Sequence, residues 1–209
     1  MTGLIELYPG AIHLPGFLSL EEQVALVARC REIGARPAGF YRPRVRGGGQ
    51  MHVDMCCLGR HWNATTYRYK SARSDFDGLD VQPLPDDLKA FAARAARAAG
   101  MAIDADICLV NHYGPGDAMG LHQDKDERPD TITAGVPLVS LSVGDTARFR
   151  VGGFSRKEPL QTILLASGDA FVMGGPSRLR YHGVPGILIG TSPRALGLTG
   201  RFNLTFRQY

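Results

Sequence analysis

The chain has 209 residues, 44% of them hydrophobic and 21% charged, which fits one globular domain and excludes disordered and fibrous classes. Its net charge is +4, and no apolar run approaches the roughly 18 residues that a membrane helix needs. The four cysteines, Cys30, Cys56, Cys57 and Cys108, lack C-x-x-C spacing, which argues against a zinc ribbon or disulfide framework and makes most of them core fillers.

The N-terminus, MTGLIELYPG, lacks the layout of a signal peptide, so a cytoplasmic protein with no membrane partner is expected, and nothing calls for more than a monomer. Ser19 to Glu22 has the form of a capping box, and VALVARCREIG continues it as a helix up to Gly34. The stretch from Pro43 to Gln50, with Gly47, Gly48 and Gly49, reads as a loop, and Met51 to Leu58 as a strand. Arg42, Arg44, Arg46, Arg60, Arg68, Lys70 and Arg73 face one acid, Asp54, in this part of the chain. Phe40, Tyr41, Trp62, Tyr67 and Tyr69 lie among or beside them, a mixture that suits an unstacked nucleic acid, although a solvated arginine-rich surface has the same composition.

A second helix is expected from Pro85 to Ala99, closed by Gly100. From Ile107 onward the texture changes to ICLVNHY, LVSLSVG, ARFRVGG, TILLASGDAFVM, GILIG and RFNLTFRQY, short runs broken by glycine. These predict a mainly β core within an α+β chain, a sandwich or barrel with the helices outside. One domain, 1–209, then divides at about residue 100 into an N-terminal part and a β-rich core.

In LHQDKDE, His122 and Asp124 are one residue apart, so on an extended strand both side chains leave one face about 7 Å apart. Imidazole with one carboxylate needs a third ligand, and two histidines with a carboxylate are what non-haem Fe(II) oxygenases use. Of the remaining histidines, His182 in RLRYHGV is the best candidate, because it follows several strands that could bring it opposite the H-x-D segment. In the C-terminal run, Arg201, Asn203, Thr205 and Arg207 share one face and Phe202, Leu204 and Phe206 the other. The apolar face belongs in a core. The polar face is then an exposed surface or the wall of an anionic pocket, and a two-pronged guanidinium suits the dicarboxylate 2-oxoglutarate.

Taken in order, NHYGPGDAMGLHQDKDE, VPLVSLSVG, GDAFVMGGPSRLRYHGV and RFNLTFRQY resemble the AlkB family of nucleic-acid dealkylating dioxygenases over about half the chain. The resemblance implies a double-stranded β-helix, or jelly-roll, core with flanking N-terminal helices and a substrate lid. It implies Fe(II) bound by His122, Asp124 and His182, with O2 as co-substrate and 2-oxoglutarate held by Arg201 and Arg207 with Asn203, Asn111 and Tyr113. On the substrate side it implies base stacking by Trp62 and Tyr69, with Tyr67 a rival for the latter, and contacts from Asp126, Glu127 and Arg156. The implied reaction repairs 1-methyladenine or 3-methylcytosine in single-stranded or duplex DNA, or in RNA, with release of formaldehyde and succinate. A 2-oxoglutarate-dependent hydroxylase of a protein or small molecule is the alternative on the same core.

Overall fold

The computed structural model describes residues 3–209. Two strands, β1 (Ile5–Tyr8) and β2 (Ala11–Leu14), precede helix α1 (Leu20–Ala35). Strands β3 (Asp54–Leu58), β4 (His61–Asn63) and β5 (Arg68–Lys70) lead to helix α2 (Asp86–Ala98). Strands β6 (Ile107–Tyr113) and β7 (Met119–His122) follow, then a short helix, α3 (Pro129–Thr133). The chain finishes with β8 (Leu138–Gly144), β9 (Thr146–Val151), β10 (Gln161–Leu165), β11 (Ala170–Met173), β12 (His182–Leu188) and β13 (Arg201–Arg207).

Two antiparallel sheets face each other, the larger in the order β1-β2-β11-β8-β13-β6-β3 and the smaller in the order β10-β9-β12-β7. This is the expected jelly roll. Three strands of the first half, β1, β2 and β3, extend the larger sheet, a role that the sequence pattern does not predict for β1 and β2. Those two are only four residues each, too short for a clear period. The run TILLASGDAFVM divides into β10 and β11 around Gly168, whose φ of +90° makes the turn. Asp169 secures that turn by accepting from the Ala166 N–H at 2.9 Å and bonding His13 at 2.8 Å.

Helix α1 starts on the expected box: the Ser19 hydroxyl accepts from the Glu22 N–H, and the Glu22 carboxylate accepts from the Ser19 N–H. Its apolar stripe, Leu26, Val27, Cys30 and Ile33, packs with Leu88, Ala92, Ala95 and Ala96 of α2 in one core with Cys108, Val110, Leu141, Leu204 and Phe206 of the larger sheet. Period two therefore puts the other face of that sheet toward the smaller one. Tyr113, Leu138, Phe149, Val151, Phe171, Met173 and Val184 fill the space between the sheets. All four cysteines are buried and unbridged, and burial pushes the Cys30, Cys56 and Cys57 thiols up to about 12, which keeps them inert. Among the described residues no helix is long and apolar enough to cross a membrane.

Candidate active site

Strand β12 runs antiparallel to β7 with His182 directly opposite His122, so the second imidazole arrives by strand pairing. Strand β7 ends at His122, and Asp124 stands two residues beyond it rather than on an extended strand as expected. A ligand atom from each of His122, Asp124 and His182 lies within 4.8 Å of the others. Nδ1 of His122 bonds the Gly120 carbonyl at 2.8 Å and Nδ1 of His182 the Arg180 carbonyl at 3.1 Å. Both rings thus turn Nε2 toward Asp124, at 3.8 and 3.5 Å. Backbone acceptors on the far nitrogens are how metal-binding imidazoles are oriented.

Burial, with His182 beside it, pushes His122 down to about 4, so the imidazole is neutral and free to donate its lone pair near neutral pH. Burial alone would raise the Asp124 carboxyl, but Arg207 and the two histidines outweigh it and hold the group ionised, well below the usual carboxylate range. Two imidazoles and one carboxylate gathered on a single face fit a divalent iron with coordination positions to spare.

The polar face of β13 is buried: Arg201 is 1% exposed and Arg207 5%. Arg201 donates to the Ser142 hydroxyl at 2.9 Å and lies over the Tyr113 ring, yet its Nε and Nη1 have no partner, and neither does the Asn111 side-chain oxygen. A buried guanidinium with idle donors is costly unless an anion completes it. A slot of about 60 Å³, lined in part by Asn111, Tyr113, His122, His182, Asn203 and Arg207, lies beside the triad. Arg201 does not itself line this slot but shares the β13 face with Asn203 and Arg207, which do, and its open donors, the amides and the His122–Asp124–His182 cluster together fit 2-oxoglutarate. Arg207 is more committed than the sequence implies, with Nη2 2.9 Å from Asp124 and Nε 3.0 Å from Glu127.

A larger cavity of about 610 Å³ opens from the triad and is lined by Trp62, Tyr67, Tyr69, Asp126 and Arg156 among others. Trp62 and Tyr69 pair across the β4–β5 hairpin, so both aromatics leave one face. Tyr67 also lines the cavity, its ring 5.8 Å from that of Trp62. The Trp62 indole N–H donates to Asp126 at 2.8 Å. Burial raises the Asp126 carboxyl above its ordinary range, and the indole bond only partly counters this. Arg156 donates to the Leu121 carbonyl at 2.5 Å and lies 5.1 Å from the Tyr181 ring centroid.

Glu127 is the exception among the expected substrate residues. Its carboxylate is buried and taken by Arg178 at 2.9 Å and Arg207 at 3.0 Å, so it braces the site instead of facing the cavity. Arg178 is a functional residue that the sequence pattern does not single out. It donates to the Asp124 carbonyl at 2.6 Å and the Val136 carbonyl at 2.9 Å, clamping the turn that carries Asp124. Its position four residues before His182 in RLRYH is the one available signal. Replacing Arg178 with Met leaves Glu127 with Arg207 as its remaining cation and takes the donor from the Asp124 and Val136 carbonyls, which together should lower stability by about 3–5 kcal/mol. That corresponds to a fall of roughly 6–20 °C in the thermal midpoint, readable by calorimetry. An unchanged midpoint would contradict the bracing role.

The basic stretch divides. Arg42 is ion-paired to Asp54 at 2.9 Å and Asp117 at 3.3 Å, and Arg60 lies over the Tyr209 ring at 4.3 Å. Arg73 is 3% exposed, donating to the Gly39 carbonyl and paired with Asp77. The three are engaged within the fold. Arg44, Arg46, Arg68 and Lys70 remain exposed, with no carboxylate partner among the described residues.

The chain matches the family model of the 2OG-Fe(II) oxygenase superfamily over residues 10–207. It is 43% identical to the alpha-ketoglutarate-dependent dioxygenase AlkB of Escherichia coli, over 83% of this chain and 79% of that protein. It is 37% identical to the DNA N(6)-methyladenine demethylase ALKBH1C of Arabidopsis thaliana, over 96% of this chain but 49% of the relative, so the chain spans about half the length of that protein. Among solved structures, that of OsALKBH1 superposes with a TM-score of 0.93 at 36% identity, covering 99% of this chain and 100% of the other.

Proposed function

Because the chain belongs to the AlkB family within the 2OG-Fe(II) oxygenase superfamily, we propose that it removes alkyl groups from ring nitrogens of bases in DNA or RNA, acting as a cytoplasmic monomer. One observation carries the reading: the aromatic pair Trp62 and Tyr69, with Asp126 bonded to the Trp62 indole, lines the same cavity as His122 and Asp124. When bound, Fe(II) and 2-oxoglutarate supply an O2-dependent oxidation that hydroxylates the N-alkyl carbon, and the product releases formaldehyde and the repaired base.

The protein's part is placement. His122, Asp124 and His182 would hold the metal, Arg201 a carboxylate of 2-oxoglutarate, and Arg207 the balance of charge at Asp124. Trp62 and Tyr69 offer ring faces to an extruded base, while the Asp126 carboxylate lies where a methylated, cationic base such as 1-methyladenine or 3-methylcytosine gains most. A methylated pairing edge also makes such a base cheaper to unstack.

The test is release of formaldehyde from oligonucleotides carrying 1-methyladenine, 3-methylcytosine or N6-methyladenine, incubated with Fe(II), 2-oxoglutarate and the purified protein. Release from the first two at rates above the unmethylated control is expected; no release from any of them by iron-loaded, folded protein would refute the reading. Replacing Arg44, Arg46, Arg68 and Lys70 by Ala should weaken single-strand binding uniformly across sequences. The slope of log affinity against log salt should become shallower by roughly 0.7 for each phosphate that is no longer neutralised. An unaltered slope would place the backbone-binding cations elsewhere.

A further inference from the structure

The β4–β5 hairpin that carries Trp62 and Tyr69 forms a separate two-stranded sheet, with three residues in each strand. Such a hairpin is marginal by itself, so something must fix it. On its cavity face it is tied by the Trp62 indole bond to Asp126 and by a long 3.5 Å approach of the Tyr69 hydroxyl to Glu127. The firmer attachment is on the rear face. His61 is fully buried and its Nε2 lies 2.5 Å from Asp75 Oδ1, while Asp75 Oδ2 accepts from the Ala64 N–H at 3.0 Å. Asn63 adds a bond to the Ser74 hydroxyl at 3.2 Å. The segment holding Asp75 is itself pinned, because Arg73 donates to the Gly39 carbonyl at 2.6 Å and lies against the stacked Tyr41 and Phe76 rings, 4.6 and 4.9 Å from their centroids. Tyr41 in turn bridges Met55 on the larger sheet.

We propose that His61 and Asp75 are positioning residues for the nucleobase site. Their bond latches the hairpin to the body of the protein and, because His61 and Trp62 are neighbours on opposite faces, sets where the indole stands. This rests on the reading of Trp62 and Tyr69 as base-stacking groups. Neither His61 nor Asp75 lines the cavity, so their effect on substrate passes through the hairpin that carries Trp62 and Tyr69.

The chain has one tryptophan, so intrinsic fluorescence reports Trp62 without labelling. A His61→Leu variant removes the donor, and His61→Gln keeps an N–H near the position of Nε2. In His61→Leu, KM for a 1-methyladenine oligonucleotide should rise by about tenfold, a fraction of what a displacement near 1 Å costs in a positioned site, with kcat less affected. Trp62 emission should shift and become more accessible to iodide, while binding of Mn(II) and of 2-oxoglutarate stays as in the parent. His61→Gln should restore both KM and emission. If His61→Leu does not fold, Asp75→Asn, which keeps an acceptor for the Ala64 N–H, should give the same changes in smaller degree. An unmoved emission, or an unmoved KM in a folded variant, overturns the assignment. Should the parent protein leave every methylated oligonucleotide untouched, the activity reading fails while the emission arm still decides the latch.

Discussion

A His182→Ala variant is expected to lose oligonucleotide-dependent turnover by roughly a thousandfold or more, since the ligated metal supplies several kcal/mol of the barrier reduction and each 1.4 kcal/mol is tenfold. The expectation follows from position. His182 is held across from His122 by strand pairing and fixed in rotation by the Arg180 carbonyl, so no neighbouring group can take its place. Titration with Mn(II) should show the corresponding loss of metal affinity, while binding of a methylated oligonucleotide, read from Trp62, survives because the hairpin is untouched. Parental turnover in this variant would remove His182 from the metal site.

The second large effect is at Arg201, where function and stability should move in opposite directions. With its Nε and Nη1 donors unpartnered and the guanidinium 1% exposed, Arg201 is a cost to the ligand-free fold. Burial lowers its pKa, with Tyr113 only partly opposing that. Arg201→Met is therefore expected to leave the thermal midpoint of the ligand-free protein unchanged or raised. The same variant should raise KM for 2-oxoglutarate by about a hundredfold, the worth of one or two charge-assisted bonds of roughly 1.5–3 kcal/mol each. 2-Oxoglutarate should raise the midpoint of the parent protein, and that rise should be absent in the variant. A variant still stabilised by 2-oxoglutarate would show that its carboxylate is held elsewhere.

What can be read from the sequence depends on whether the signal is local. The face of β13 is legible because period two fixes which side chains travel together, and Phe202, Leu204 and Phe206 do enter the core while Arg201 and Arg207 line the interior. The capping box of α1 is legible for the same reason, since both of its bonds lie within one turn. Glu127 resembles a substrate residue because it adjoins Asp126, but its partner Arg178 is 51 residues away, and only the packed fold brings the two together. Arg42 likewise reads as a free cation until the fold places Asp117, 75 residues on, beside it. The hairpin pair His61 and Asp75 gives no pattern, because a buried histidine and an acid in a turn have no period to share.

The most direct test of base repair by this iron site is a mass balance on one reaction. Protein, Fe(II), 2-oxoglutarate and O2 are mixed with a single-stranded oligonucleotide bearing one 1-methyladenine, and succinate, formaldehyde and restored adenine are quantified together. Equal amounts of the three are expected, with none formed when His182 is replaced by Ala. Succinate accumulating while the methylated base stays intact would contradict base repair, leaving an oxygenase whose substrate is something other than a nucleic-acid base.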